Sequence, residues 1–351
     1  MHEAPYVSWF ADISLKDRPL VGGKGGSLGE LTSAGLRVPG GFVVNTRAFD
    51  RCIEAIEREA PVRAQVEALV AADLPAITAC ARSLRGRLES APLPEEVLEQ
   101  VSEAHARLCG QDIGRALAVR SSATTEDAVD ASFAGLQDTY LWISGAAEVI
   151  ARVRSCWASL YSVESISYRR ARGLPEQGVS MAVVVQQMVD ARCAGVMFTR
   201  SPTTGDRSVI TIEGAWGLGS AVVGGEVTPD RWVLGKITGD ITVRDVSDKS
   251  IQHLPRATGH GIEAVPVAEA SRRAACLSDA ELQSLRDLAR AVERHYGRAQ
   301  DIEWAVDRHT GQIVLLQSRP ETVWSSKEAS PVARGADNPL SHVMSIFGGR
   351  R

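Results

Sequence analysis

Apolar Ile302, Trp304 and Val306 alternate with Asp301, Glu303 and Ala305 in the run Asp301-Ile-Glu-Trp-Ala-Val-Asp307. A period of two buries one set of side chains and presents the other, so the run predicts a strand. The polar segment Asp307-Arg-His-Thr-Gly-Gln312 predicts a turn, with Gly311 able to take a positive φ. A return strand, Ile313-Val-Leu-Leu-Gln-Ser-Arg319, ends at Pro320, which has no N–H to continue a ladder. A turn centred near His309 and Thr310 sets Glu303 about opposite Gln317, with Arg319 two residues on along the same side. Carboxylate and amide oxygens are ligands that suit Mg²⁺, which keeps waters and nucleotide phosphates as its remaining partners. A guanidinium beside them suits a phosphate oxygen. An edge hairpin with a solvated polar face accounts for the same residues, and this segment alone does not separate the two readings.

Composition narrows the class. A chain of 351 residues accommodates two or three domains of ordinary size, and 44% apolar with 23% charged residues describes a water-soluble globular protein. A net charge of −4 gives no reason to expect nucleic acid or an anionic membrane as partner. There is no apolar run of the length that spans a membrane and no basic-then-apolar leader at the N-terminus. Six cysteines lie scattered at 52, 80, 109, 156, 193 and 276, with no C-x-x-C pair, so reduced thiols in a cytoplasmic setting are expected.

Along the chain, residues 1–50 read as glycine-rich mixed structure and residues 50–110 as helical, broken by prolines. Residues 115–145 read as strand, polar loop, strand; residues 146–172 as one helix; and Met181–Val189, Gly195–Thr199, Val209–Glu213 and Arg231–Val243 as β-rich runs. Ser278-Asp-Ala-Glu281 is a capping box. It opens a helix whose stripe is Leu282, Leu285, Leu288, Val292 and Tyr296, with Gly297 to end it. The expected division is an N-terminal lobe over 1–190, a C-terminal lobe over 191–325 carrying the hairpin, and a linker or loose tail over 326–351.

Four segments carry chemistry. Val21-Gly-Gly-Lys-Gly-Gly-Ser-Leu-Gly29 lets backbone approach a ligand while Lys24 offers a point charge to phosphate. It fits neither a P-loop nor the dinucleotide fingerprint, and a glycine-rich turn before a short helix ending at Gly35 explains it too. Ala118-Val-Arg120 delivers a guanidinium into a hydroxyl-rich loop through Ser132 to Gly135, able to cradle a polyphosphate or to be a surface loop. Gln187-Met188-Val189 follows an apolar strand and suits a flat slot for an aromatic base, or a plain core strand. Glu213-Gly-Ala-Trp-Gly-Leu-Gly219 is a weak glycine signal that a tight turn with Trp216 packed in the core explains equally. The seven histidines show no ligand spacing, and no Ser/His/Asp set stands out.

Together these segments resemble the N-terminal nucleotide-binding region of the phosphoenolpyruvate synthase family, which includes pyruvate phosphate dikinase, rifampicin phosphotransferase and phenylphosphate synthase. The resemblance rests on VGGKGGSLGEL, VPGGFVV, AVRSSATTEDAVDASFAGLQDTYL, AGVMF, AWGLG, HYGRAQDIEWA and QSRPETVWS, in order over residues 8–325. It implies an α/β (α+β) ATP-grasp-like fold with ATP and Mg²⁺ in a cleft between two lobes. It further implies that Lys24, Arg120 and Arg319 contact phosphates, that Glu303 and Gln317 hold Mg²⁺, and that Gln187, Met188 and Val189 flank the adenine. Ser132, Gly135, Thr139 and Glu213 complete the implied nucleotide contacts. The implied reaction cleaves ATP to AMP and phosphate and phosphorylates a histidine. The family's TSHA-type histidine motif is absent from this sequence, so a partner subunit with a phosphohistidine domain is expected. A self-contained kinase or ligase making ADP, and a non-catalytic nucleotide-binding module, are the alternatives.

Overall fold

The structure, a computed structural model, describes residues 5–112, 114–124 and 138–324. The implied contacts at Ser132 and Gly135 and the expected tail over 326–351 lie outside them. In chain order the first elements are β1 (Val7–Trp9), α1 (Arg18–Ser33), β2 (Gly41–Val44), α2 (Thr46–Glu57), α3 (Arg63–Glu67), α4 (Leu74–Ser90) and α5 (Glu95–Cys109). Then come β3 (Leu117–Ala123), β4 (Thr139–Ile143), α6 (Ala146–Ser159), α7 (Val163–Ala171) and β5 (Met181–Gln187). The later elements are β6 (Ala191–Phe198), β7 (Val209–Trp216), α8 (Ser220–Val223), β8 (Asp230–Gly235), β9 (Ile241–Asp245), β10 (Ile251–Pro255) and β11 (Ile262–Pro266). The last are α9 (Glu269–Arg272), α10 (Asp279–Tyr296), β12 (Gln300–Asp307) and β13 (Ile313–Pro320).

The fold is mixed α/β, built on two antiparallel sheets. One has the order β1-β2-β5-β3-β4, the other β13-β12-β6-β7-β8-β9, and β10 and β11 form a separate ribbon. In the first sheet Phe42, Val44, Val119, Val183 and Val185 pack against the helical layer around Phe49, Leu84 and Trp157. Its opposite face, with Val43 and Val184, packs on Val21 and Leu28 of α1. In the second sheet Ile302, Trp304 and Val306 bury against Leu282, Leu285 and Val292 of α10, as the alternation predicts. The far face of that sheet carries the small side chains Ala191, Ala194 and Ala305, and this leaves room for a cavity.

Several local expectations hold. Ser278 caps α10 reciprocally with Glu281, and Gly297 ends the helix in a left-handed conformation. All six cysteines are buried and free. No helix among the described residues is long and apolar enough to cross a membrane.

Three boundaries differ. The helix expected over 146–172 is two helices, because Ser162 breaks the run and caps α7 by accepting from Ser165 N–H at 3.1 Å. The run Arg231–Val243 folds back as β8 and β9, with Gly239 at φ 80° in the turn. The glycine-rich segment holds both a break and a helix: Gly22, at φ 71° and ψ 178°, interrupts α1, and the other glycines lie in the helical stretch that follows and ends at Ser33. A Cβ at Gly22 would stand 2.1 Å from the Ser122 carbonyl oxygen, so glycine is what lets α1 lie directly on β3.

Candidate functional site

Arg120 joins the two sheets. The two-residue period of β3 turns Val119 into the helical core and turns Arg120 and Ser122 the other way. Ser122 Oγ donates to the Val21 carbonyl of α1 at 2.8 Å. Arg120 crosses to the hairpin of β12 and β13. Its Nη2 donates to Gln317 Oε1 at 2.6 Å and Glu303 Oε2 at 3.0 Å, and its Nη1 donates to the Leu316 carbonyl at 3.2 Å. Nε of the same guanidinium is buried and has no acceptor among the described residues. A buried N–H without a partner is costly, and this one stands where the two sheets meet.

A bulge shapes the hairpin. Trp304 pairs with Leu315, yet its neighbour Glu303 pairs with Gln317, leaving Leu316 as an extra residue. In an unbulged ladder of the same sequence Leu316 would face Glu303, and Gln317 would turn to the other side of the sheet. The bulge instead gives the site face both Leu316, which packs in the apolar cluster with Ala305 and Val314, and Gln317. Beyond it Ser318 turns inward to accept Ser27 Oγ–H on its carbonyl at 2.5 Å, and Arg319 turns outward.

The acidic residues form rows across the second sheet. Glu303 pairs with Val196, which pairs with Glu213, so the two carboxylates flank one valine. Burial raises the Glu213 carboxyl above its ordinary range, opposed by Arg231. Asp301 pairs across the hairpin with Arg319, whose Nε lies 3.4 Å from Asp301 Oδ2. Burial still lifts the Asp301 carboxyl to about 6; Arg319 opposes the rise and the nearby Glu321 adds to it.

Two adjoining cavities gather most of the expected residues. One, of about 370 Å³, is lined by Arg120, Thr139, Gln187, Met188, Val189 and Glu303. The second, of about 240 Å³, is lined by Glu213, Asp301, Glu303, Gln317 and Arg319. Glu303 and Val223 border both. The amides of Gln187 and Met188 are already bonded to the carbonyls of Gly40 and Ala116, at 2.9 and 3.0 Å. Lys24 is half-buried on α1 and borders neither cavity; its charge is felt by the buried Cys156 thiol.

The oxygen ligands expected from the sequence are a carboxylate and an amide that face each other across β12 and β13. No group of three or more His, Cys, Asp or Glu side chains forms a metal cage among the described residues. Such a sparse set fits Mg²⁺, which is held by one or two protein oxygens together with phosphates and waters.

Sequence reasoning missed the Leu316 bulge, the small-residue floor of Ala191, Ala194 and Gly195, and the contribution of Leu218 to Ser220. The run of small residues at one end of β6 was the available signal; a bulge leaves none in composition.

Residues 18–338 match the sequence profile described as pyruvate phosphate dikinase, AMP/ATP-binding domain. A probable phosphoenolpyruvate synthase of Methanothermobacter thermautotrophicus is 41% identical over 321 residues, covering 90% of this chain and 46% of the relative. The phosphoenolpyruvate synthase of Pyrococcus furiosus is 36% identical, over 90% of this chain and 44% of its own length. The chain thus spans about half the length of the curated relatives it matches. Among solved structures, D-alanyl-alanine synthetase A from Vibrio cholerae aligns over 77% of the chain at 10% identity with a TM-score of 0.26, and a likeness of that size carries no argument. The profile match and the ordered motifs establish that this chain belongs to the pyruvate phosphate dikinase AMP/ATP-binding domain family.

Proposed function

We propose that the chain is the ATP-binding catalytic part of a dikinase-type phosphotransferase with an ATP-grasp-like arrangement. ATP sits between the lobe of residues 1–190 and the lobe of residues 191–325. It is cleaved to AMP and phosphate while a histidine on a partner domain or subunit takes a phosphoryl group. One ATP, one water and one histidine give one AMP, one inorganic phosphate and one phosphohistidine, which passes its group to a hydroxyl or enol acceptor. The names of the relatives favour an enol acceptor.

One observation carries this reading: Arg120 of the first sheet reaches Glu303 and Gln317 of the second at hydrogen-bond distance, with its Nε left over. Glu303 and Gln317 would hold Mg²⁺, which when bound supplies charge neutralisation to the phosphates. Arg120 and Arg319 orient phosphate oxygens through N–H donors. Lys24 adds a point charge from α1. Gln187, Met188 and Val189 flank the adenine, Thr139 lines the first cavity and Glu213 the second. Phosphoryl transfer asks the protein for alignment and charge neutralisation more than for covalent help, and these residues supply both.

The test is ATP and Mg²⁺ with this chain and a protein carrying a phosphohistidine domain from a relative. Formation of AMP together with labelled, acid-labile phosphate on that partner is expected. ADP as the only product, or ATP bound without turnover beside every partner, overturns the proposal.

A further inference from the structure

The Ala215–Gly219 segment, to which the nucleotide reading gives no role, meets a side-chain relay at the cavity edge. Strand β10 lies against it. Gly217 pairs in parallel with His253, and the Leu218 N–H donates to the His253 carbonyl at 3.0 Å. Gly217 has φ 74°, and a Cβ there would stand 2.5 Å from that carbonyl oxygen, so glycine is what admits β10 so closely. The approach sets the His253 ring, 7% exposed, between two partners. Nδ1 lies 2.8 Å from Ser220 Oγ and Nε2 lies 3.3 Å from Glu226 Oε2. Ser220 borders the same cavity as Arg120, Glu303 and Gln187. No Ser/His/acid set is legible in the sequence, because its members are separated by chain reversals.

The polarity of this relay is set from its outer end. An ionised carboxylate only accepts, so the ring donates from Nε2 to Glu226. A neutral imidazole then presents Nδ1 as an acceptor, and the Ser220 hydroxyl donates to it. The Ser220 oxygen turns only lone pairs to the cavity. A phosphate oxygen is an acceptor and gains nothing there, whereas a sugar hydroxyl donates. Position agrees with polarity. Leu218 packs in the apolar cluster with Met188 and Val189, at the base end, and Val223 borders the cavity of Gln317 and Arg319, at the phosphate end. Ser220 stands between them, where a nucleotide carries its ribose.

We infer that Ser220, held as an acceptor by His253 and Glu226, reads a ribose hydroxyl of the bound nucleotide. Ser220 is the specificity-determining residue, and His253 and Glu226 are positioning residues. The inference rests on the nucleotide site proposed above and adds to it the means of telling ribose from deoxyribose.

Dissociation constants of ATP, 2′-deoxy-ATP and 3′-deoxy-ATP test it on the full chain, as wild type, Ser220→Ala and Glu226→Ala. In the wild type one of the two deoxy nucleotides is expected to bind about tenfold more weakly than ATP, the worth of one good hydrogen bond. Ser220→Ala should bind ATP as weakly as that analogue and leave the analogue unchanged. Glu226→Ala, at a half-exposed position, should narrow the gap without moving the melting temperature, since the tautomer is no longer fixed. Equal affinities in the wild type, a gap that survives Ser220→Ala, or equal losses for all three nucleotides overturn the inference while leaving the nucleotide site standing. A gap unchanged in Glu226→Ala overturns the relay. Failure of the wild type to bind ATP at all overturns both readings.

Discussion

Glu303 and Gln317 stand opposite each other because Leu316 is an extra residue in β13. That single insertion in the ladder puts the amide beside the carboxylate and both within reach of Arg120. The pair therefore depends on backbone register as much as on side-chain identity.

Register and chemistry separate experimentally. Gln317→Ala keeps the bulge and removes the ligand, so Mg²⁺-dependent ATP turnover should fall by about 100-fold or more with little change in melting temperature. Deleting Leu316 closes the bulge and lets Gln317 follow Leu315 in regular register, still opposite Glu303, so turnover should largely survive while the apolar contact of Leu316 is lost. Steady-state rates beside thermal melts check both variants. Wild-type turnover in Gln317→Ala would remove the metal assignment.

Lys24 lies on α1, away from the two cavities, yet the proposed function gives it a phosphate. Lys24→Ala should weaken ATP binding by roughly 1–3 kcal/mol, the worth of a charged hydrogen bond. Calorimetric titration measures it. A wild-type dissociation constant would relegate Lys24 to a packing role.

Asp301 gives the fold a pH slope. Its carboxyl is raised in the folded state from 3.8 to about 6, so the folded chain holds that proton longer than the unfolded chain does. Below the unfolded value both states are protonated and the stability is fully present. As pH rises from about 4 through about 6 it is lost, on the order of 2–3 kcal/mol. Asp301→Asn should flatten this slope. Urea melts across that window are the measurement, and parallel curves for variant and wild type would refute it.

Lys249 and Asp230 are both wholly buried and paired. Asp230 also accepts the N–H groups of Ser247 and Cys276, each at 2.9 Å. Lys249→Met leaves a buried carboxylate without its cation and should cost about 3–5 kcal/mol. Because the pair lines neither cavity, the ATP dissociation constant should be unchanged below the melting transition.

The hairpin was legible because its alternation is dictated by burial on one face, and a strand has no other way to satisfy Ile302, Trp304 and Val306 together. The α10 boundaries were legible because Ser278 and Gly297 act through local backbone geometry. The break at Ser162 escaped notice because Leu160 and Tyr161 extend the helical spacing past the end of α6 at Ser159 and are buried like Trp157. The relay of Ser220, His253 and Glu226 was illegible for a different reason. Nothing local pairs residues 33 and 27 positions apart; only the docking of β10 on the Gly217 segment does. Lys24 and Arg120 were singled out for charge among glycines and hydroxyls, a signal that gives residue type but not distance.

Helix α1 contributes Val21 and Leu28 to the core beneath the first sheet and Leu31 to the core beneath the second. It is also tied to β13 through Ser27 and Ser318. A rod shared by two bodies acts as an axle: the bodies can swing about it but not part from it. A change in the angle between the two sheets would therefore turn near α1, the helix that carries Lys24.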